Sequence, residues 1–584
     1  GFNQETNTEG PPPFDYGVFA RMYNADGTDF LVDGQAVREF RVNAIFRGNQ
    51  QDPDVAMDAI GDYVVTWKGP DSLGPTSWAI YARFLDPPGY RSVALNNSTN
   101  GEVLALSGTS GNDVFDISVA QAAGSWTVKV NGVSRAVPST VTTLQLDGLG
   151  GADTINLVLS DGDDTVDLSL AAGTVTGPWY TLALANLETV NVEGNAGNNV
   201  AFLRDTPADD SYTAKPDWAE HKGQGYYHLA TKFQTVHGFG GQGVDTAYLY
   251  GSSGDDTFVA GPGLATMSSS LGYTFDASSF TNMHGYAVAG GTDTASLNGS
   301  DSPDSLYATP QLALLAGSGY LARAKGFKTV NVAGKGGSDV AAVYDSAGND
   351  FLVASPTQFE LKTPTATVVG SSFETLTATG SGGYDQAQLY DAPGYNTFTA
   401  TPTKATLVGD GYSLTANTFD FVHAYKVAGT FNTAFLYDSA GNDAFLGTPW
   451  YGILSGQGFY NRAKFFDAVH AYSTSGGNDV ARLWGWTGND SLEATSQYVR
   501  MWGSRFTNRA KFFKQVQVNG GGGTDSATLV DATLAPGNLA VGSLPANYVQ
   551  ASWLNRFARF TLKDSRTGQQ QTIQAIDQVY TAYW

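Results

Sequence analysis

The chain has 584 residues, 70 of them glycine and none cysteine, and 55 Asp+Glu against 32 Lys+Arg leave a formal net charge of −23. That acidity excludes a basic nucleic-acid footprint, and the lack of cysteine excludes disulfide staples, thiol catalysis and Cys-ligated zinc. A hydrophobic share of 42 % with 12 % aromatic residues excludes a disordered acidic polymer, and no apolar run approaches the ~18–20 residues that span a bilayer.

In chain order, residues 1–13 end in Pro11, Pro12 and Pro13 and read as a linker. A first residue of Gly1 rather than Met fits a processed chain that has lost a signal peptide. Residues 14–90 read as a small antiparallel β domain. Y-G-V-F-A-R-M-Y-N from Tyr16 is echoed 62 residues later by W-A-I-Y-A-R-F-L-D from Trp78, and residues 52–67 between them read as strand, Gly turn, strand. The first copy is then an orphan edge strand. It is expected to close within the chain onto the sheet of residues 39–86, rather than pair with a neighbouring molecule.

Residues 91–531 are a repeat array. An acidic or amide landmark recurs at Glu102, Asp153, Asn199, Asp245, Asp293, Asp339, Asp385, Asn432, Asp479 and Asp525, at intervals of 46 to 48 after a first step of 51. Eleven residues later comes a second landmark, at Asp113, Asp164, Asp210, Asp256, Asp304, Asp350, Asn396, Asp443 and Asp490. A third, F-x-x-[VM]-H, places His237, His284, His423 and His470 at matching positions, so these histidines belong to the scaffold. Runs such as T-A-Y-L-Y alternate with period two, and G-S-S-G-D-D and S-A-G-N-D supply turns. The chain reads as all-β. Ten blades exceed the usual propeller ring, so the expected fold is a right-handed parallel β-helix with two coils per unit. That makes roughly twenty coils and a rod on the order of 100 Å, with Asp245, Asp293 and Asp339 in a line at steps of about 10 Å. Residues 532–584 leave the period and read as a cap, with a hairpin of 556–563 and 569–573 turning through 564–568.

S-G-T-S-G-N-D-V-F at 107–115, V-K-V-N-G-V at 128–133 and L-Q-L-D-G-L-G-G-A-D-T at 144–154 resemble repeats of very large secreted surface proteins of planctomycete-like bacteria. E-F-R-V-N at 39–43 with residues 52–67 looks like another repeat of such proteins. The resemblance covers residues 14–200 and implies an extracellular or cell-surface, non-catalytic role. G-G-Q-G-V-D-T-A-Y at 240–248 and G-G-G-G-T-D-S-A-T at 520–528 distantly resemble RTX-type calcium-binding repeats. The tandem nine-residue spacing of those repeats is absent, so their calcium role does not carry over intact.

The landmark acids either ligate calcium, a hard cation that takes 6–8 oxygens, or make Asx-turns at coil corners, a role that Asn199, Asn396 and Asn432 fill equally well. The second reading is preferred. No cofactor is required, and any calcium is expected at the richest carboxylate group, Asp161, Asp163, Asp164 and Asp167. His221 and His228 break the period; Asp217, Glu220 and His221 form an acid/base candidate, and residues 217–228 are expected to be an ordinary surface loop instead.

Tyr250, Tyr344, Tyr390, Tyr437 and Trp484 all follow the first landmark by five residues and should face outward, as an interface or glycan-binding row or as rings packed on their own coil. N-R-A-K-F-F at 461–466 recurs at 508–513, with A-R-A-K-G-F at 322–327. Arg323, Lys325, Arg462, Lys464, Arg509 and Lys511 therefore read as a basic assembly ladder. Residues 460–566 carry a net +5 and the rest −28, which favours self-association over a merely solubilising surface. The expected function is a secreted structural protein that self-associates into a cell-surface layer, fibre or matrix. A glycan-binding, adhesive module that holds cell-surface polysaccharide is the alternative, and a polysaccharide-processing β-helix enzyme comes third. Neither nucleic acid nor membrane insertion is expected.

Overall fold

The structure, a computed structural model, describes residues 17–21, 31–32, 35–36, 40–42, 50–57, 63–70, 78–85, 92–98, 101–135, 137, 139–170, 172–288, 290–537, 550–575 and 579–584. The linker assigned to 1–13 lies outside these residues. All regular elements among them are strands. They form a parallel β-solenoid of about 12 turns preceded by a small antiparallel sheet. The chain divides into two compact units, residues 1–257 with 263–291 and residues 258–262 with 292–584.

The first unit opens with Gln51–Met57, Tyr63–Pro70, Trp78–Leu85, Ser92–Ser98 and Gly101–Ser107, each antiparallel to the next. Trp67 stacks on Tyr81 at 5.8 Å, and both share a buried cluster with Val18, Val42 and Val65. The orphan strand closes within the chain. Phe19 and Ala20 pair with Arg41 and Phe40, and the Val42 N–H donates to the Val18 carbonyl at 2.7 Å. Gly101–Ser107 then lies parallel to Val141–Asp147 and starts the solenoid.

Along each solenoid strand the period of two sorts side chains between core and solvent. In Thr246–Tyr250, Ala247 and Leu249 are fully buried while Tyr248 and Tyr250 point outward, half-buried. Parallel neighbours are not 46 residues apart. Val114 faces Thr154, Thr154 faces Thr189, Thr235 faces Thr274 and Ser526 faces Arg559, so a turn of the solenoid takes 33 to 40 residues. Each repeat also contains an antiparallel meander, such as Phe351–Ala354, Gln358–Lys362 and Thr367–Ser371. The expected twenty coils are therefore about 12, because residues assigned to extra coils form these meanders.

Successive repeats start in opposite sheets. In the second unit Val340–Tyr344 belongs to one sheet, Gln386–Tyr390 to the other, and Thr433–Tyr437 to the first again. Landmarks of consecutive repeats within a unit hence do not line up, which corrects the single file expected of Asp293 and Asp339. What stacks instead is the second landmark of one repeat on the first landmark of the next. The main-chain N–H of Asp164, Asp210, Asp350 and Asp443 donates to Oδ1 of Asn199, Asp245, Asp385 and Asp479 at 2.7 to 3.0 Å. The 46-residue period is thus a step of 11 within the repeat plus one of about 35 across it.

A second corner recurs where the meander rejoins the coil. Lys232, Ser279, Ser372, Thr418, Phe465 and Phe512 have φ between 58° and 67°, each just before a buried phenylalanine, at Phe233, Phe280, Phe373, Phe419, Phe466 and Phe513. The N–H of the left-handed residue bonds back to a carbonyl 15 or 16 residues earlier, as in Thr418 to Thr403 at 2.7 Å and Phe465 to Trp450 at 2.7 Å. A side chain in this region costs about 1 kcal/mol or more, which the buried ring and the closing hydrogen bond offset. At the C-terminal end Arg559–Lys563 pairs antiparallel with Gln570–Gln574, and Asp564 Oδ1 accepts the N–H groups of Arg566 and Thr567 in the turn between them.

Candidate functional site: the aromatic and basic outer faces

The outward rings are built into stacks by the solenoid step. Tyr250 lies on Tyr286 at 4.6 Å in the first unit, and Tyr390 on Tyr425 at 4.8 Å and Tyr437 on Tyr472 at 5.0 Å in the second, all within 12° of parallel. Tyr344 meets Tyr307 at 5.3 Å and 45°. Trp484 is 53 % exposed. Because repeats alternate between sheets, these rings do not form one row. In the second unit Tyr390 and Trp484 stand on one sheet, and Tyr344 and Tyr437 on the other.

The basic repeats are placed in the same way. Arg462 and Lys464 lie in Phe459–Lys464, with Lys464 beside Tyr425. Arg509 and Lys511 lie in Thr507–Lys511 on the other sheet, with Lys511 beside Tyr472. Each arginine donates from Nη2 to the neighbouring tyrosine hydroxyl, Arg462 to Tyr425 at 2.8 Å and Arg509 to Tyr472 at 2.7 Å. Lys464 stands 4.9 Å over the Phe465 ring and Lys511 4.7 Å over Phe512. The same Tyr–Tyr–Arg–Lys–Phe group is thus presented on opposite sheets instead of as one ladder. Arg323 and Lys325 occupy the corresponding strand Tyr320–Lys325, half-buried and exposed respectively. Burial, with Arg462 alongside, holds His423 down at about 4, and burial with Arg509 and Arg500 does the same to His470. The positive charge of both faces therefore resides on Arg and Lys.

One face carries more. Phe465 is exposed in the left-handed region, and Trp450 meets it edge-on at 6.3 Å and meets Trp486 at 4.6 Å. Trp450 and Phe465 were not singled out from the sequence. The signal for Phe465 was local, a bulky ring one residue before the recurring buried Phe, at a position that adopts positive φ.

His221 and His228 are not in a surface loop. They face each other across the antiparallel strands Trp218–Gly223 and Tyr226–Thr231, fully buried. The Tyr226 hydroxyl lies 2.5 Å from His221 Nδ1. Burial pushes His221 down to about 3 and His228 to about 4. Glu220, on the outer side of the same strand, pairs with Lys222 at 2.6 Å. These residues therefore do not converge on one acid/base centre.

The four carboxylates singled out for calcium take separate partners. Asp167 binds Arg204 through both oxygens at 2.7 and 2.8 Å, Asp161 accepts from Asn195 and Asp163 from the Asn198 N–H. Asp164 is buried and accepts from Ser160 and Tyr180. Among the described residues the converging carboxylates are two other groups, Asp205 with Asp210 and Asp245, and Asp345 with Asp350 and Asp385. No protein-family model matches the chain, and no curated protein matches it.

Proposed function

We propose that the chain is a structural protein of the cell surface or extracellular matrix that self-associates through the outer faces of its solenoid. The observation that carries this reading is the repetition of one group, Tyr390–Tyr425–Arg462–Lys464–Phe465 and Tyr437–Tyr472–Arg509–Lys511–Phe512, on the two sheets of the second unit. A group repeated on opposite faces can engage a neighbour on each side, which is the valence a layer or fibre requires. The acidic remainder of the chain, at −28, supplies the complementary field. The resemblance of residues 107–154 to secreted surface repeats favours the location. Electron microscopy and light scattering of the full chain test this. Arg462→Glu with Arg509→Glu should reduce particle size at low salt, and unchanged assemblies sink the reading.

A glycan-binding role is favoured by Trp450, Phe465 and Trp486, whose clustered rings offer apolar faces to sugar rings. Trp450→Ala should then weaken binding to an acidic polysaccharide column while leaving particle size unchanged.

A further inference from the structure

Four corners of the solenoid carry a third aspartate, five residues before the second landmark, at Asp205, Asp345, Asp391 and Asp438. A third carboxylate beside two buried ones demands compensation, since like charges out of water repel strongly. Two of the corners supply it from the protein. At Asp391 both landmarks are amides, and Asn396 and Asn432 turn Nδ2 toward Asp391 Oδ2 while the N–H groups of Val427 and Ala428 serve Oδ1. At Asp438 the Ser475 N–H and the Thr474 hydroxyl donate, and Ser473 donates to Asp479 Oδ2 at 2.6 Å.

The other two corners, like that of Asp438, carry three carboxylates, but fewer donors reach them. Oxygens of Asp345, Asp350 and Asp385 lie within 4.8 Å of one another, as do those of Asp205, Asp210 and Asp245. Asp345 is 8 % exposed and its Oδ2 has no hydrogen-bond partner. Its Oδ1 lies 2.8 Å from Ser381 Oγ, whose single proton is also within reach of the Ser346 carbonyl at 2.6 Å. Asp350 is served by Ser346, and Asp385 Oδ1 by the Asp350 N–H. At the other corner Asp205 Oδ2 lacks a partner and Asp210 Oδ1 has none of its own, and Asp210 is 4 % exposed. The equivalent oxygens of Asp164 and Asp304 receive tyrosine hydroxyls, from Tyr180 and Tyr320. The hydroxyl of Tyr226, the counterpart at Asp210, lies 2.5 Å from His221 Nδ1 and is shared between that nitrogen and the Asp210 carboxylate.

We infer that these two corners are sites for a hard divalent cation, calcium by preference, held by Asp345, Asp350 and Asp385 and by Asp205, Asp210 and Asp245. Oxygens bonded to one Ca²⁺ at 2.3–2.6 Å can stand no more than about 5 Å apart, and both groups meet that limit. The cation takes the place of the hydrogen-bond donors that amides and hydroxyls supply at Asp391 and Asp438. This inference does not depend on self-association, because each corner lies within one unit.

The test is calcium titration of the full, chelator-treated chain at pH 8 by calorimetry, with thermal unfolding followed in parallel. Wild type should lose two tight sites per chain in Asp205→Asn/Asp345→Asn and one in each single variant, whereas Asp391→Asn should lose none. Calcium should raise the unfolding temperature of wild type by several degrees and of the double variant hardly at all. Magnesium in place of calcium should bind at least tenfold more weakly. Equal calcium binding by wild type and the double variant overturns the proposal. So does an absence of binding at pH 8 with stabilisation appearing only on acidification, since the carboxylates would then share protons and not a metal. Asn at 205 and 345 keeps the size and one acceptor of Asp, so a well-formed double variant is the expected background, checked by its circular dichroism.

Discussion

The Asp304 N–H donates to Asp339 Oδ1 at 2.7 Å across 35 residues, and the Asp339 N–H in turn donates to Glu374 Oε2 at 2.6 Å. A side chain of one turn thereby satisfies a buried backbone donor of its neighbour, and the relay ties three successive strands end to end. Leaving such a donor unpaired costs about 1–3 kcal/mol. Asp339→Ala should lower unfolding free energy by about 2 kcal/mol in urea and speed hydrogen exchange at the Asp304 amide. Asp339→Asn, which keeps the acceptor as Asn199 and Asn432 do naturally, should stay within about 1 kcal/mol of wild type.

The outward rings should differ in their cost to stability. Tyr390 and Tyr437 each stack on a neighbouring tyrosine, so each change to Ala should cost about 1 kcal/mol. Trp484 is more than half exposed, and Trp484→Ala should fall within about 0.5 kcal/mol. Chemical denaturation of the three single variants checks the order, and an equal loss at all three would contradict it.

The histidine pair sets an acid limit. In the unfolded chain both titrate near 6.5, whereas burial holds them at about 3 and about 4 in the fold. Across that window the unfolded chain binds more protons, so stability falls as pH drops from 6.5 toward 4. The raised Asp205, Asp345 and Asp525 act in the opposite sense, gaining protons in the fold as pH falls. The clean readout is therefore a difference. His221→Leu/His228→Leu should remove a few kcal/mol of the loss between pH 7 and pH 4, measured by urea unfolding at both pH values.

The left-handed corners should respond to glycine. Ser372 has φ 58°, and its N–H bonds to the Thr357 carbonyl at 3.1 Å. Ser372→Gly should stabilise by about 0.5 kcal/mol, relief of strain outweighing added freedom of the unfolded chain. Ser372→Val should cost about 1–2 kcal/mol, because a β-branched side chain tolerates that region least. Thermal unfolding of the pair decides the sign.

Val18 lies in the cluster with Trp67 and Tyr81, and Phe19–Ala20 pairs within the chain. Deleting residues 1–21 should speed hydrogen exchange in Tyr63–Pro70 and Trp78–Leu85 and leave particle size unchanged. Loss of assemblies with unchanged exchange would instead show that this strand joins molecules.

Local rules made much of the fold legible. Alternation of small apolar and polar residues placed Ala247 and Leu249 inside and Tyr250 outside, and Asp564 with Gly568 marked the final hairpin, because side-chain period and turn chemistry act over a few residues. The amides Asn199, Asn396 and Asn432 likewise marked the landmarks as corner residues. The stacking distance was decided elsewhere. A repeat of 46 conceals a turn of about 35, since strand register depends on which distant backbone each strand meets. That choice sent Arg462 and Arg509 to opposite sheets, buried His221 against His228, and gathered Asp345, Asp350 and Asp385 at one corner while Asp161, Asp163, Asp164 and Asp167 found separate partners. Residues 40 apart in the chain touch only because the backbone hydrogen bonds of whole strands bring them together, and no local pattern carries that information.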